Sequence, residues 1–353
     1  PVHVPHVLYY WRVHAASTSG GVEAKPYVAQ AAKKAIRDHI ERTGQHGTVK
    51  DGLFPSTYKV DWEIPGRPLV SIIIPNKDHT DDLEKCLSSL YAKTSWKKFE
   101  VLIIENNSTE QKTFDYYDSL LEKYPGCTVL RYQGSFNFSR INNFGRAHAK
   151  GEYLLMLNND VEIINPDWLT EMLMQASRPG AAICGAMLYY ADDTIQHAGI
   201  ITGLGGYAGH SHKYKKRGGS GYMFRAATVQ DLSGVTAACL LVKTSVFDQV
   251  GGMDEAFTVA FNDVDFCLRV RDAGYRVIWT PYAQLYHYES KSRGSDEKDP
   301  AKKARFEAEH RRLYAVHGRA NILADPYYSP SLTLDREDFS ESGDLRNLKQ
   351  PKL

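Results

Sequence analysis

From Leu69 onward the chain alternates short apolar runs with amphipathic stretches. Val70-Ser71-Ile72-Ile73-Ile74 and Val101-Leu102-Ile103-Ile104 are nearly unbroken hydrophobic runs, the pattern of parallel strands covered on both faces. Thr128-Val129-Leu130 and Tyr153–Leu157 read as two further strands. Between them, Asp81–Tyr91 puts Leu83, Leu87 and Leu90 on one helical side, and Phe114–Tyr124 reads as a second helix. Ser139 can cap a third helix that runs to about Lys150. These repeated strand–helix steps predict a parallel, doubly wound half-domain. Such sheets bind ligands beyond the carboxyl ends of their strands, so chemistry is expected in the residues that follow each strand.

After Asn165 the alternation loosens. A helix is expected near Pro166–Ser177, followed by strand-like pieces at Ala182–Leu188, Ile195–Thr202, Val229–Leu232 and Ala237–Val242. A helix over Phe261–Ala273, a strand at Tyr275–Trp279 and a further strand around Ala283–Tyr286 complete this region. The domain boundaries expected are an arm and linker at 1–66, a catalytic domain at 67–295, and a helix with an extended polar tail at 296–353. Within the arm, Tyr9–His14 looks like a short strand and Lys25-Pro26 opens a helix through Arg42. The proline-bearing stretch Asp51–Pro68 reads as an extended linker. The arm is also what the trailing edge of an upstream domain would look like, because the chain opens at Pro1.

Composition narrows the classes. With 43 Lys+Arg against 42 Asp+Glu in 353 residues, there is no global field to favour nucleic acid. The five cysteines are scattered without a Cys-x-x-Cys pair, as expected of free thiols in a reducing compartment such as the cytoplasm. No apolar run approaches the ~20 residues of a membrane span. The basic helix around Lys302, Lys303, Arg305, Arg311 and Arg312 suits docking on the catalytic domain through Phe306 and Leu313, with peripheral membrane contact as the other reading. Gly203–Gly209 mimics a dinucleotide loop, but its glycine spacing is wrong and no strand–helix–strand unit surrounds it.

The strand ends are polar. Ile74 leads into Pro75-Asn76-Lys77-Asp78, Ile104 into Glu105-Asn106-Asn107-Ser108, and Leu157 into Asn158-Asn159-Asp160. Glu105 can accept the imide N–H of a pyrimidine base, and Asp78 can bind base or ribose; Asp78, Asn106 and Ser108 equally suit helix caps and turns. Asp160 suits a hard divalent cation that bridges two phosphates. Asn262-Asp263-Val264-Asp265 opens a helix, where carboxylates meet free N–H groups and the positive end of the dipole. Asp263 and Asp265 lie about 200° apart around that helix, so they cannot face one cleft equally.

Val70–Asp78, Val101–Ser108, Asn137–Gly145 and Gly151–Asp160 together resemble glycosyltransferase family 2, which has the GT-A fold (a Rossmann-like nucleotide-binding half with a mixed central sheet). The resemblance continues in Gln196-His197-Ala198-Gly199, Asn262–Arg269 and His287–Ser290. It leans toward bacterial enzymes of O-antigen or rhamnan-type polysaccharides. It implies an inverting transfer from a nucleotide-diphosphate sugar to a glycan or lipid-linked glycan hydroxyl, and Glu105 favours UDP or dTDP as the nucleotide. Asp263 is then the base, Asp160 and His287 hold Mn or Mg, and His197, Asn262 and Asp265 lie on the acceptor side. Donor binding falls to Pro75, Asn76, Asp78, Glu105, Asn107, Ser108, Arg140, Asn143, Asn158, Asn159, Ser290 and Arg293. Asn158 stands where the family commonly has the first acid of Asp-x-Asp, so one carboxylate of that motif remains. The rival readings are a sugar nucleotidyltransferase, which would need a Gly-rich triphosphate loop that Pro75–Asp78 is not, and an inactive glycan-binding or scaffold member of the same fold.

Overall fold

A computed structural model describes residue 9, residues 27–289 and residues 299–343. The strand expected from Tyr9 to His14 and the donor-side residues Ser290 and Arg293 therefore fall outside the described residues, Tyr9 alone excepted.

The parallel half forms as its apolar runs predict. Val70–Asn76, Phe99–Glu105, Cys127–Arg131 and Tyr153–Leu157 are parallel, and Val70–Asn76 pairs with both Tyr153–Leu157 and Phe99–Glu105. Alternate side chains serve two cores. Ile72, Ile74, Val101 and Ile103 pack with Leu83, Leu87 and Leu90 of helix Thr80–Lys93. Ile73, Leu102, Ile104, Leu154 and Met156 face the other way, toward Ile141 of helix Phe138–His148. Burial on both faces is why these strands carry no polar alternation.

Beyond Tyr153–Leu157 the sheet changes direction. Cys239–Lys243 lies antiparallel between Tyr153–Leu157 and Ala181–Tyr189. Arg276–His287 then runs parallel to Ala181–Tyr189, with Gln230–Leu232 antiparallel at the edge. The two strands expected at Tyr275–Trp279 and Ala283–Tyr286 are one strand, with a register shift between Trp279 and Gln284. Its far end pairs with a short strand that the sequence did not suggest, Val161–Ile163, which matches Val161 with His287. Gly185 lets the Val235 segment lie on the sheet, since a Cβ there would come within 2.5 Å of Val235 Cβ.

The linker expected over Asp51–Pro68 is corrected in part to a hairpin. Gly47–Asp51 pairs antiparallel with Tyr58–Trp62. Pro55 sits in its turn, and Pro65 and Pro68 follow its second strand, so no proline interrupts the ladder. Lys59 pairs with the buried Glu171 on helix Trp168–Ala176, and Arg178 lies over the Trp62 ring. Helix Tyr27–Arg42 precedes the hairpin. Asn137, rather than Ser139, caps helix Phe138–His148 by accepting the Arg140 amide at 2.9 Å. Ser139 instead donates to Phe257 O at 2.7 Å.

Helix Pro300–His317 is pinned along its C-terminal half. The buried Glu309 accepts hydrogen bonds from Thr258 N and Oγ1, each at 2.6 Å, and from Val259 N and Ala260 N, each at 2.9 Å. Arg312 pairs with Asp254 at 2.6 Å and His317 with Asp265 at 2.8 Å. These ties hold the loop that leads into helix Asn262–Asp272. Asp325 ties the polar tail to the short strand Ile200–Thr202 by accepting the Thr202 amide at 2.8 Å.

Glu309→Ala leaves these donors buried without their acceptor. It should lower unfolding free energy by about 2–4 kcal/mol, read as a lower urea midpoint, and Glu309→Gln should recover part of the loss.

Candidate active site

The strand ends build a polar rim. Asn159 Nδ2 donates to Asn76 Oδ1 at 2.6 Å, while Asn76 Nδ2 donates to the Tyr117 hydroxyl at 2.7 Å. Glu105 Oε1 accepts the Ser108 amide at 2.6 Å, and Ser108 Oγ accepts the Asp78 amide at 3.0 Å. Pro75 is the half-buried residue that precedes Asn76 on the strand. The rim thus joins Asn76, Glu105, Ser108 and Asn159 across neighbouring strands.

Four residues expected on the donor side are committed elsewhere. The Asp78 carboxylate accepts from Thr109 N at 3.0 Å, Glu110 N at 3.1 Å and Thr113 Oγ1 at 3.2 Å. It therefore braces the start of helix Gln111–Lys123, the capping role that was one of its two expected readings. Burial raises its carboxyl pKa, but these hydrogen bonds outweigh that and hold it below the usual range. Asn107 has φ 62 and donates to Gly134 O at 2.6 Å. Arg140 pairs with Glu255 at 2.8 Å on the surface, and Asn143 bonds Met253 through both ends of its amide, each at 2.9 Å.

Asp160 and His287 do come together. The pairing of Val161 with His287 sets their side chains 3.2 Å apart, from Asp160 Oδ1 to His287 Nε2, and Tyr288 N donates to Asp160 O at 2.9 Å. Gln196 fixes the imidazole: its Nε2 donates to Glu289 Oε2 at 3.2 Å and to His287 O at 3.3 Å, so its Oε1 accepts from His287 Nδ1 at 2.6 Å. In the neutral ring the proton is then on Nδ1 and the Nε2 lone pair points at the Asn158 amide, 3.0 Å away, and at Asp160. A nitrogen lone pair beside a carboxylate oxygen is an arrangement that a cation relieves.

The segment Thr236-Ala237-Ala238 links this pair to Asp263. Ala238 O accepts the Asn158 amide at 3.0 Å, and Ala237 N donates to Asp263 Oδ2 at 3.2 Å. Asp263 Oδ1 also accepts the Val264 amide at 2.9 Å, as the free N–H groups of a helix start allow. Thr236 N donates to His197 Nε2 at 3.3 Å, so the proton of a neutral His197 sits on Nδ1, 3.2 Å from His210 Nδ1. Burial lowers the pKa of His197 well below the ordinary value, and His210 and His287 beside it act in the same sense. Burial also lowers that of His210, despite the nearby carboxylates Asp263 and Glu289.

Asn262 is buried and donates to Val259 O at 2.9 Å. Asp265 faces away from Asp263: fully buried, it binds Arg269 at 2.8 Å and His317 at 2.8 Å. Its expected place on the acceptor side is therefore corrected to a tie between this helix and the C-terminal helix. Gln196, which orients His287, escaped the sequence-based site; His210, whose place on a loop with His212 suits a surface or acceptor-side role, neighbours Asp263. The signal for Gln196 was its place in Gln196-His197-Ala198-Gly199; the partner it serves is distant in sequence.

A parallel half that ends in a polar rim, continued by a mixed sheet that sets His287 beside Asp160 and by a helix that starts at Asn262-Asp263, defines a GT-A glycosyltransferase fold. A mannosyltransferase, PcManGT from Pyrobaculum calidifontis, solved with GDP-Man and Mn2+, superposes over 86% of this chain and 76% of its own, at TM-score 0.53 and 16% identity. The chain belongs to glycosyltransferase family 2, whose family model matches residues 71–250, just over half its length. It is 43% identical over 342 residues to the uncharacterised protein y4gI of Sinorhizobium fredii, and 36% over 340 residues to the O-antigen biosynthesis protein RfbC of Myxococcus xanthus. These alignments cover 96% and 95% of this chain but 37% and 26% of the relatives, so the chain spans about a third of their length. No helix among the described residues is long and apolar enough to cross a membrane.

The buried histidines also set a pH dependence. Burial pushes His212, whose Nε2 accepts the Tyr222 amide at 3.2 Å, from 6.5 down to about 4. The unfolded chain then binds more protons between these values. Stability is complete above about pH 7 and falls as pH drops through 6.5 toward 4, by about 2 kcal/mol at pH 5 from this residue. Urea titrations at pH 7 and 5 should show that loss, and His212→Gln should reduce it.

Proposed function

We propose that the chain is the catalytic region of an inverting glycosyltransferase that moves a sugar from a nucleotide-diphosphate sugar to a glycan hydroxyl in cell-surface polysaccharide synthesis. The observation that carries this reading is the run of contacts from Asp160 and His287 through Asn158 and Ala237-Ala238 to Asp263. It links two metal-type donors to a helix-start carboxylate through one run of neighbouring residues.

Asp263 takes the proton from the acceptor hydroxyl as its oxygen bonds to the anomeric carbon. The bond from that carbon to the diphosphate oxygen breaks on the opposite face, and the nucleoside diphosphate leaves with the electron pair. Asp263 is already oriented by the Ala237 and Val264 amides. Asn76, Glu105 and Asn159 line the rim where base and ribose sit, Glu105 favouring the uracil or thymine of UDP or dTDP.

Asp160 and His287 fit a divalent cation. Two adjacent ligands at about 2.1 Å from Mg or Mn lie roughly 3 Å apart, close to their 3.2 Å separation. Gln196 supplies the outer hydrogen bond that a metal-ligating histidine needs. Among the described residues no group of three or more His, Cys, Asp or Glu gathers as a metal site, so diphosphate oxygens and water would fill the other positions. When bound, the cation neutralises charge on the departing diphosphate. The resemblance to O-antigen enzymes favours a rhamnose-type or hexose donor and a glycan or lipid-linked acceptor. The reaction belongs in the cytoplasm, where the five buried free cysteines stay reduced.

A panel of nucleotide sugars, screened with Mn2+ for thermal stabilisation and for release of nucleoside diphosphate, tests the reading. Asp263→Asn should lower turnover at least about 1,000-fold while donor stabilisation persists. Asp160→Ala or EDTA should weaken donor binding about 10- to 100-fold. Full turnover in EDTA would remove the metal from the account, and absence of any donor response would favour a glycan-binding module without catalysis.

A further inference from the structure

The chain between Thr202 and Gln230 carries His210 against His197 and then makes a second, outward excursion. At its tip Tyr222, Met223 and Phe224 are 43%, 77% and 43% exposed. Met223 at φ 48 and Phe224 at φ 61 are both left-handed, a backbone region that such side chains rarely occupy. The tip is held in that shape. Tyr222 stacks on Phe339 with centroids 5.3 Å apart, and Phe224 meets Phe54 at 5.8 Å. Phe54 lies in the turn of the Gly47–Trp62 hairpin, where Leu53 is 50% exposed. Two segments far apart in sequence thus present one apolar patch to solvent, which an isolated domain gains nothing by doing.

The excursion itself carries charge of one sign. From Gly203 to Gln230 the sequence holds Lys213, Lys215, Lys216, Arg217 and Arg225 and not one Asp or Glu. Arg217 is matched by Asp193 at 3.1 Å, and Arg225 feels Asp325. Lys213, Lys215 and Lys216 remain, with Asp192 in the preceding turn and Glu337 and Asp338, next to Phe339 on the tail, as the counter-charges around them. Tyr214, stacked on Tyr190 at 5.4 Å and 65% exposed, stands among these lysines. Apolar side chains at an exposed tip, flanked by lysines and a tyrosine, match the interface of an anionic bilayer, where the tip enters the acyl boundary and the lysines meet phosphate headgroups.

We infer that the paired tips around Leu53 and Tyr222–Phe224 dock the protein on an anionic phospholipid surface. This inference does not rest on the transfer reading. Together the two would set the His210-bearing excursion against the surface from which a lipid-linked acceptor is presented. The basic helix Pro300–His317, the other candidate for membrane contact, is anchored to the domain through Glu309 and Arg312.

Co-sedimentation of the 353-residue chain with phosphatidylcholine vesicles, with and without phosphatidylglycerol, tests the inference. The chain should pellet with the anionic vesicles and not with phosphatidylcholine alone. Met223→Ser with Phe224→Ser should lower partitioning about tenfold. Leu53→Ser on the separate hairpin, and Lys215→Glu with Lys216→Glu, should also weaken it, each with an unchanged melting temperature. Lys302→Ala with Lys303→Ala should leave it intact. Failure of the wild-type chain to bind anionic vesicles, wild-type binding by the tip variants, or loss of binding in the helix variant would each overturn the inference.

Discussion

The short antiparallel ladder between Val161–Ile163 and Leu285–His287 is the constraint on which the site depends. It follows directly on Asn158-Asn159-Asp160 and so turns a strand-end carboxylate into half of a pair. The register is set by burial: Val161, Ile163 and Leu285 all lie in the core. A slip of one residue would turn His287 to the other face of the sheet and separate it from Asp160. The apolar side chains on this ladder therefore do as much for the chemistry as the polar pair they align.

Around that ladder the protein supports each polar group from behind. Gln196 fixes the His287 ring, Ala237 and Val264 orient Asp263, and Glu309 holds the loop that precedes the Asp263 helix. The Asn137–Gly145 segment works on the same loop, since Asn137 Nδ2 donates to Glu255 O at 2.7 Å and Phe138 N to Thr258 O at 2.9 Å. Its likeness to the family thus has a structural reading, a buckle between the parallel half and the helix that carries Asp263.

The parallel half was legible because its three inner strands are buried on both faces and read as nearly continuous apolar runs, while the edge strand Cys127–Arg131 is exposed at Thr128 and Arg131. The second half was less so. Arg276–His287 bends at a register shift that periodicity reads as two strands, and its partner Val161–Ile163 is too short to show any period. The Gly47–Trp62 hairpin was hidden by prolines that lie outside its paired residues. In the site, Asp160, His287 and Asp263 could be placed from their motifs, but which neighbour each side chain chooses could not. Asp78 and Asp265 show why: a carboxylate near a helix start has backbone amides, an arginine or a histidine to choose from, and only the fold decides.

The central claim is that Asp160 and His287 share one cation with the donor diphosphate. Anomalous scattering from manganese, in crystals grown with Mn2+ and UDP, tests it most directly. The account predicts a single strong peak about 2.1 Å from both the Asp160 carboxylate and His287 Nε2, in contact with the diphosphate oxygens. Bound nucleotide with manganese at some other site, or with none, would contradict it.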